Sequence, residues 1–98
     1  MSGKLDGKIA IVTGAARGLG RAIAQLYAAE GATVYALDVL EDELKGLAEL
    51  PGDIRSRKLD LTDAESIEPT LKAIEAETGR IDVLVNNAGI IFSSRSKP

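Results

Sequence analysis

The sequence has no cysteine and no histidine, and its 98 residues include only two tyrosines, one phenylalanine and no tryptophan. Without cysteine there can be no disulfide framework, no thiolate nucleophile and no cysteine zinc site. Without histidine, the commonest metal ligand and the usual imidazole base are both missing. We therefore expect an aliphatic core, no metal site, and no catalysis that depends on an imidazole or a thiol.

Long apolar runs and an excess of basic charge are also lacking. Charges or glycines interrupt every apolar stretch well before the length of a membrane span, and residues 1–8 contain no apolar segment typical of a signal peptide. The 12 Lys and Arg residues are outnumbered by 15 Asp and Glu residues, which gives a net charge of −3. That balance argues against a nucleic-acid partner. We expect a cytoplasmic protein that binds neither membrane nor nucleic acid.

The sequence instead alternates short apolar runs with amphipathic segments. The predicted strands are residues 9–13, 33–37, 54–59 and 81–85, and the predicted helices are residues 21–30, 40–50 and 62–78. This alternation predicts an α/β fold with a Rossmann-like parallel sheet of four strands in the order 3-2-1-4. Right-handed crossovers place the first two helices on one face and the third on the other. Residues 1–91 are predicted to be one Rossmann-like half-domain, and residues 92–98 a polar tail.

Two local features of the third helix are also predicted. Thr62 and Glu65 have the spacing of a capping box at its start. Pro69 lies inside the helix and lacks the N–H that a regular helix uses, so we expect a kink or a restart there.

A glycine-rich segment, Thr13–Gly20, lies where the first strand turns into the first helix. Glycines at 14, 18 and 20 let the backbone turn sharply, approach a ligand closely and pack the helix on the sheet. The helix N-terminus that follows suits a pyrophosphate. A glycine-rich turn that binds nothing is the alternative. A Walker loop is excluded, because no Gly-Lys pair in the sequence is followed by Ser or Thr.

Asp38 ends the second predicted strand, 18 residues after Gly20. This is close to the separation of an acid that accepts hydrogen bonds from the adenosine ribose hydroxyls. Because a carboxylate there would repel a 2′-phosphate, NAD is predicted in preference to NADP. Arg17 argues in the opposite direction, since a basic residue in the loop can contact a 2′-phosphate. A helix N-cap is the structural alternative for Asp38, and both roles can coexist.

Four segments in order resemble the short-chain dehydrogenases/reductases: Thr13–Gly20, Asp38, Asp60-Leu61 and Asn86–Gly89. The resemblance covers residues 4 to 91. It implies an NAD cofactor site in which the glycine loop and the backbone near Arg17 and Leu19 hold the pyrophosphate, Asp38 the adenosine ribose, and the Asp60-Leu61 pair the adenine. Asn87, Ala88 and Gly89 would lie beside the nicotinamide-side ribose. The implied cofactor-binding residues are Gly14, Arg17, Gly18, Leu19, Gly20, Asp38, Asp60, Leu61, Asn87, Ala88 and Gly89.

Structural alternatives exist for two of these segments. Asp60 is also placed to be a turn residue ahead of the third helix. Asn86 and Asn87 are also placed to tie the fourth strand to its neighbour near Thr13.

The catalytic residues of the family, an Asn, a Ser, and a Tyr and Lys four apart, lie beyond the Asn-Asn-Ala-Gly motif. Neither Tyr27 nor Tyr35 is followed by a lysine four residues later. The resemblance therefore predicts the NAD(H)-binding portion of an oxidoreductase acting on an alcohol or ketone, with the catalytic half absent and the 98-residue chain inactive alone. A stand-alone nucleotide-binding or self-assembling module is the alternative. The fourth strand is predicted to be an apolar edge that pairs with another copy or with a complementing C-terminal half.

Overall fold

A computed structural model describes residues 3–87, in which strands and helices alternate. The strands are β1 (Ile9–Thr13), β2 (Thr33–Asp38), β3 (Asp53–Lys58) and β4 (Val83–Asn86), and the helices are α1 (Gly18–Ala29), α2 (Glu41–Ala48) and α3 (Ala64–Thr78). All strand pairs are parallel, and the strand order is β3-β2-β1-β4. The predicted fold class and strand order are confirmed. The predicted domain end at residue 91 and the tail at 92–98 lie outside the described residues.

The central strands β1 and β2 are apolar along nearly their whole length. Residues 10–13 and 34–37 are buried, as expected for parallel strands covered on both faces. Side chains alternate between the two faces along each strand, so these strands contribute to two separate cores. The same strands carry the glycine loop and Asp38 at their carboxyl ends, and their burial fixes both in place.

Each face of the sheet carries its own apolar cluster. On one face, alanines of α1 and Leu44 and Leu47 of α2 pack on Val12 and Val34. On the other face, the cluster contains Ile11, Tyr35, Leu37, Leu59, Ile67 and Ile74, the last two from α3. The predicted placement of two helices on one face and one on the other is therefore confirmed.

Polar side chains of the edge strand β3 lie against the buried aromatic ring of Tyr35. The guanidinium carbons of Arg55 and Arg57 lie 5.6 and 5.3 Å from the centre of the Tyr35 ring. The Tyr35 hydroxyl donates to Glu77 Oε1 (2.9 Å) and accepts from Arg55 Nη1 (2.9 Å), and Arg57 is paired with Glu77. We call these four residues the Tyr35 network. It joins the edge strand β3 to α3, both directly through Arg57 and by way of Tyr35 of β2.

The predicted capping box of α3 is wrong. The helix begins at Ala64 with Asp63 in the N-cap position, and no side chain caps it. Thr62 lies outside the helix and donates its hydroxyl to Asp60 instead (2.6 Å). A nearby carboxylate accepts the threonine hydroxyl in a local turn, which is the usual competitor of a capping interaction.

Of the kink or restart predicted at Pro69, the restart is wrong, since α3 is one continuous helix from Ala64 to Thr78, and the kink stays a prediction. The proline removes a single helical hydrogen bond near the start of the element. The next residue, Thr70, donates its hydroxyl to the Ser66 carbonyl (2.8 Å) and adds a bond in the same turn. Burial of Ile67 and Ile74 against the sheet supports both halves of the helix.

Within residues 3–87, no helix combines the length and the apolar character needed to cross a bilayer.

Candidate functional site

The glycines of the loop between β1 and α1 serve two different purposes. Gly14 and Gly18 have φ angles of 63° and 59°, in the left-handed region that side chains disfavour. A Cβ on Gly20 would lie 2.1 Å from the Gly14 carbonyl oxygen and 2.6 Å from Asn87 Nδ2. A Cβ on Gly18 would meet no atom within 4 Å. Gly14 and Gly18 therefore set the path of the backbone, Gly20 permits close packing, and the backbone at Gly18 is open to a ligand.

Helix α1 presents an uncapped N-terminus beside this loop. It begins at Gly18, earlier than the predicted Arg21, and Arg17 occupies the N-cap position without a side-chain cap. The first turn contains no acidic residue, and Leu19 in that turn is 67% exposed. The first amide groups of a helix carry partial positive charge. The arrangement suits an anionic group lying across Gly18.

Asp38 lies at the carboxyl end of β2 and faces the loop. Its Oδ2 accepts from the Ala16 amide (3.1 Å), and its Oδ1 accepts from the Leu40 amide (3.1 Å). The N-cap position of α2 belongs to Leu40, so the helix-cap alternative for Asp38 is wrong and its local role is in the turn before the helix. A carboxylate has about four acceptor positions, so these two bonds leave capacity for a ligand.

A cavity of about 200 Å³ opens beyond the carboxyl ends of β1, β2 and β3. Its lining residues are Gly14, Asp38, Val39, Leu59, Asp60, Leu61 and Thr62. The position is where open parallel sheets usually bind ligands. Four residues predicted from the sequence, namely Gly14, Asp38, Asp60 and Leu61, are thus brought together.

Asp60 is held at one side of this cavity by Thr62. Its Oδ1 accepts from the Thr62 hydroxyl (2.6 Å) and the Thr62 amide (2.9 Å). These two bonds, with a smaller contribution from the charge of Lys58, lower the pKa of Asp60. The turn role predicted as an alternative is therefore observed, and the same bonds orient a carboxylate that is ionised at neutral pH toward the cavity.

The end of β4 is tied to the glycine loop. The Asn87 side-chain Nδ2 donates to the Gly14 carbonyl (3.3 Å), and the Asn87 backbone N–H donates to Thr13 Oγ1 (3.1 Å). The Thr13 hydroxyl donates in turn to the Val85 carbonyl (3.2 Å). The structural alternative for the Asn86-Asn87 pair is thus observed. Ala88 and Gly89 lie outside the described residues.

Arg17 is paired rather than directed into the cavity. Its Nε lies 2.8 and 2.9 Å from the two carboxylate oxygens of Glu43, and its Nη2 lies 2.6 Å from Oε2. Glu43 is in the first turn of α2, so the ion pair links the glycine loop to that helix.

A family model described as short chain dehydrogenase matches residues 8–98. The chain belongs to the short-chain dehydrogenase family. It is 53% identical over 87 residues to the 3-oxoacyl-(acyl-carrier-protein) reductase FabG of Vibrio harveyi, covering 88% of the chain and 36% of that reductase. It is 46% identical over 91 residues to the D-threitol dehydrogenase of Mycolicibacterium smegmatis, covering 89% of the chain and 35% of that enzyme.

A solved structure supports the same assignment. The crystal structure of a short chain dehydrogenase from Bacillus anthracis aligns with a TM-score of 0.78 and 30% identity, covering 87% of this chain and 36% of that one. The chain spans about a third of the length of the relatives and of the solved structure that it matches.

A nicotinamide cofactor is the group that the short-chain dehydrogenase family uses, and the described residues fit its adenosine half. The open backbone at Gly18 and the uncapped start of α1 suit a pyrophosphate, and the spare acceptor capacity of Asp38 suits ribose hydroxyls. Among residues 3–87, no group of three or more acidic side chains is placed to hold a metal ion.

Sequence reasoning missed two side chains that hold predicted residues of this short-chain dehydrogenase in place, Glu43 and Thr62. Thr62 orients Asp60, and Glu43 pairs with Arg17. The adjacency of Thr62 to Asp60 was visible in the sequence as an Asp-x-Thr turn. The pairing of Glu43 with Arg17 was not visible, because it depends on how α2 packs on the sheet.

Proposed function

We propose that this chain forms the NAD-binding part of an oxidoreductase that acts on an alcohol or a ketone. The observation that carries the proposal is the cavity beyond β1, β2 and β3, which Asp38 and Asp60 line together with Gly14 of the glycine turn. Asp38 accepts hydrogen bonds from the adenosine ribose hydroxyls, and the Asp60 carboxylate accepts from the exocyclic amine of adenine. The Leu61 backbone lies against the adenine ring.

The rest of the dinucleotide follows the path from α1 to the end of β4. The pyrophosphate lies across Gly18 and Leu19, where the first amides of α1 are uncapped. Asn87, at the end of β4, lies beside the nicotinamide-side ribose. The bond from the Asn87 side chain to the Gly14 carbonyl supports this part of the proposal, because it sets the end of β4 against the glycine turn.

NAD is proposed in preference to NADP. A carboxylate at position 38 repels the additional phosphate on the NADP ribose, and Arg17, the nearby cation, is already paired with Glu43. We also propose a cytoplasmic location, which the cysteine-free composition supports.

The hydride chemistry belongs to the cofactor, and the protein positions it. Two relatives are named for reducing a 3-oxoacyl group and for dehydrogenating D-threitol, which supports a ketone or an alcohol as substrate. Neither tyrosine of the described residues is suited to the chemical step. Tyr35 is fully buried in its network, and Tyr27 packs against the α1 and α2 cluster. The proposal therefore assigns the catalytic residues outside residues 3–87.

Titration of the chain with NAD tests the proposal. We expect Asp38→Ala to weaken NAD binding by about tenfold or more, because charge-assisted hydrogen bonds to the ribose are lost. Glu75→Ala is the matched control, since it removes one negative charge from an exposed position on α3. Circular dichroism of both variants checks that the fold is kept. Unchanged NAD affinity in folded Asp38→Ala would show that the ribose assignment is wrong.

A further inference from the structure

The Arg17–Glu43 pair lies next to the proposed ribose site. The Arg17 side chain is 69% exposed and its partner 39%, yet the guanidinium contacts both carboxylate oxygens of Glu43. The amide of the preceding residue, Ala16, is bonded to the Asp38 carboxylate. The cation at the mouth of the ribose site is therefore held by an acid from α2.

The charges around Arg17 are mutually stabilising in the absence of a ligand. The hydrogen bonds from Arg17 lower the pKa of Glu43, and the charge of Arg21 acts in the same direction. The hydrogen bonds and charge of Glu43 raise the pKa of Arg17, and the charge of Asp38 adds to this. The positive charge of Arg17 thus interacts with two carboxylates, with Glu43 through hydrogen bonds and with Asp38 through its charge.

A phosphate on the 2′ position of a ribose held by Asp38 is favoured by a nearby cation, and Arg17, a cation near Asp38, is already paired with Glu43. Arg17 uses Nε and Nη2 for Glu43, so other N–H groups of the guanidinium remain for a phosphate, but the charge of Glu43 offsets the attraction that Arg17 exerts on it. A 2′-phosphate bound at Arg17 would therefore meet the repulsion of Glu43 as well as that of Asp38. An unphosphorylated ribose requires nothing from Arg17.

We propose that Glu43 is a specificity-determining residue that, by holding Arg17, disfavours a 2′-phosphorylated adenosine ligand. The inference rests on the proposed function and goes beyond it. It attributes the preference for an unphosphorylated ribose to Glu43 on α2 as well as to Asp38 at the end of β2. Glu43 acts through Arg17 and is a positioning residue.

The test compares two small adenosine ligands, 5′-AMP and adenosine 2′,5′-bisphosphate, by calorimetric titration at low ionic strength. In Glu43→Gln we expect the bisphosphate to bind about three- to tenfold more tightly while 5′-AMP binding stays the same. Glu41→Gln is the matched control, because it removes the same charge from the same turn of α2 without releasing Arg17. The ratio of the two affinities should not change in that control.

A double variant shows whether the effect passes through Arg17. In Arg17→Gln with Glu43→Gln, the gain in bisphosphate affinity should disappear. An unchanged affinity ratio in Glu43→Gln, or an equal gain in Glu41→Gln, overturns the inference. If 5′-AMP still binds in these experiments, the proposed function is not contradicted. A wild-type chain that binds neither NAD nor 5′-AMP overturns both.

Discussion

At the scale of single residues, the site depends on where a Cβ is tolerated and where it is not. Gly20 and Gly46 are both helical glycines, one in α1 and one in α2. A Cβ on Gly20 would overlap the Gly14 carbonyl, whereas a Cβ on Gly46 would meet nothing within 4 Å. The same chemical change is therefore expected to have opposite effects at the two positions.

Gly20→Ala should destabilise the chain by about 1 to 3 kcal/mol, because the loop must move away from the helix. Gly46→Ala should stabilise it by about 0.5 to 1 kcal/mol, because alanine has the higher helix propensity at an exposed helical position. Urea unfolding monitored by circular dichroism measures both. NAD binding should weaken in Gly20→Ala and stay unchanged in Gly46→Ala. A Gly20→Ala variant as stable as the wild type would contradict the close packing of loop and helix.

Four of the residues predicted for the site, Gly14, Asp38, Asp60 and Leu61, line one cavity. The separation from Gly20 predicts Asp38 and the family resemblance implies Asp60, and the two lie at one edge of the sheet because parallel strands end there together. The Arg17–Glu43 pair and the Tyr35 network could not be predicted. Both join side chains on separate elements, and their geometry depends on the packing of α2 and α3.

At the scale of elements, the apolar pattern located each strand and helix of residues 3–87 but not all of their ends. The fourth strand is predicted at residues 81–85 and observed at Val83–Asn86, and the Asp82 carboxylate just before it accepts from the Ile9 amide (2.8 Å). The first helix starts at Gly18, inside the glycine loop. Apolar periodicity does not report such ends, since polar bonds at the termini decide them.

The Tyr35 network makes the interaction between β3 and α3 dependent on pH. Hydrogen bonds from Arg57, and then from Tyr35, lower the pKa of Glu77 in the folded chain. A lowered folded-state pKa means that the ionised carboxylate adds stability above the ordinary glutamate pKa, and that this stability is lost as the pH falls through the lowered value. The network should therefore hold β3 to α3 at neutral pH and release it in acid.

We expect Glu77→Gln to be less stable than the wild type at pH 7, and the difference in unfolding free energy to shrink as the pH is lowered toward 3. Glu75→Gln is the matched control, because it removes the same charge from an exposed position of the same helix. The difference in unfolding free energy between Glu75→Gln and the wild type should not shrink in this way. Urea unfolding curves at several pH values provide the measurement. A Glu77→Gln difference that is constant across this range would show that the ion pair does not couple to folding.

At the scale of the whole molecule, the two edges of the sheet differ in chemistry. The β3 edge carries arginines, an aspartate and a lysine, which discourage pairing with another strand. The β4 edge is Val-Leu-Val-Asn, and β4 pairs with β1 on one side only among the described residues. Leu84 is aligned with Ile11 on the α3 face of the sheet and is 44% exposed. An apolar strand edge next to an exposed leucine favours association.

We therefore expect the 98-residue chain to self-associate through β4 at high concentration. Leu84→Lys should raise the dissociation constant by about tenfold or more, because a charge on this face opposes its burial in an interface. Leu26→Lys is the control, since it adds the same charge at a leucine of α1 that is 57% exposed. Sedimentation equilibrium of the three proteins measures the effect. The β4 assignment fails if the wild type remains a monomer throughout, and it fails equally if Leu26→Lys disperses the complex as well as Leu84→Lys does.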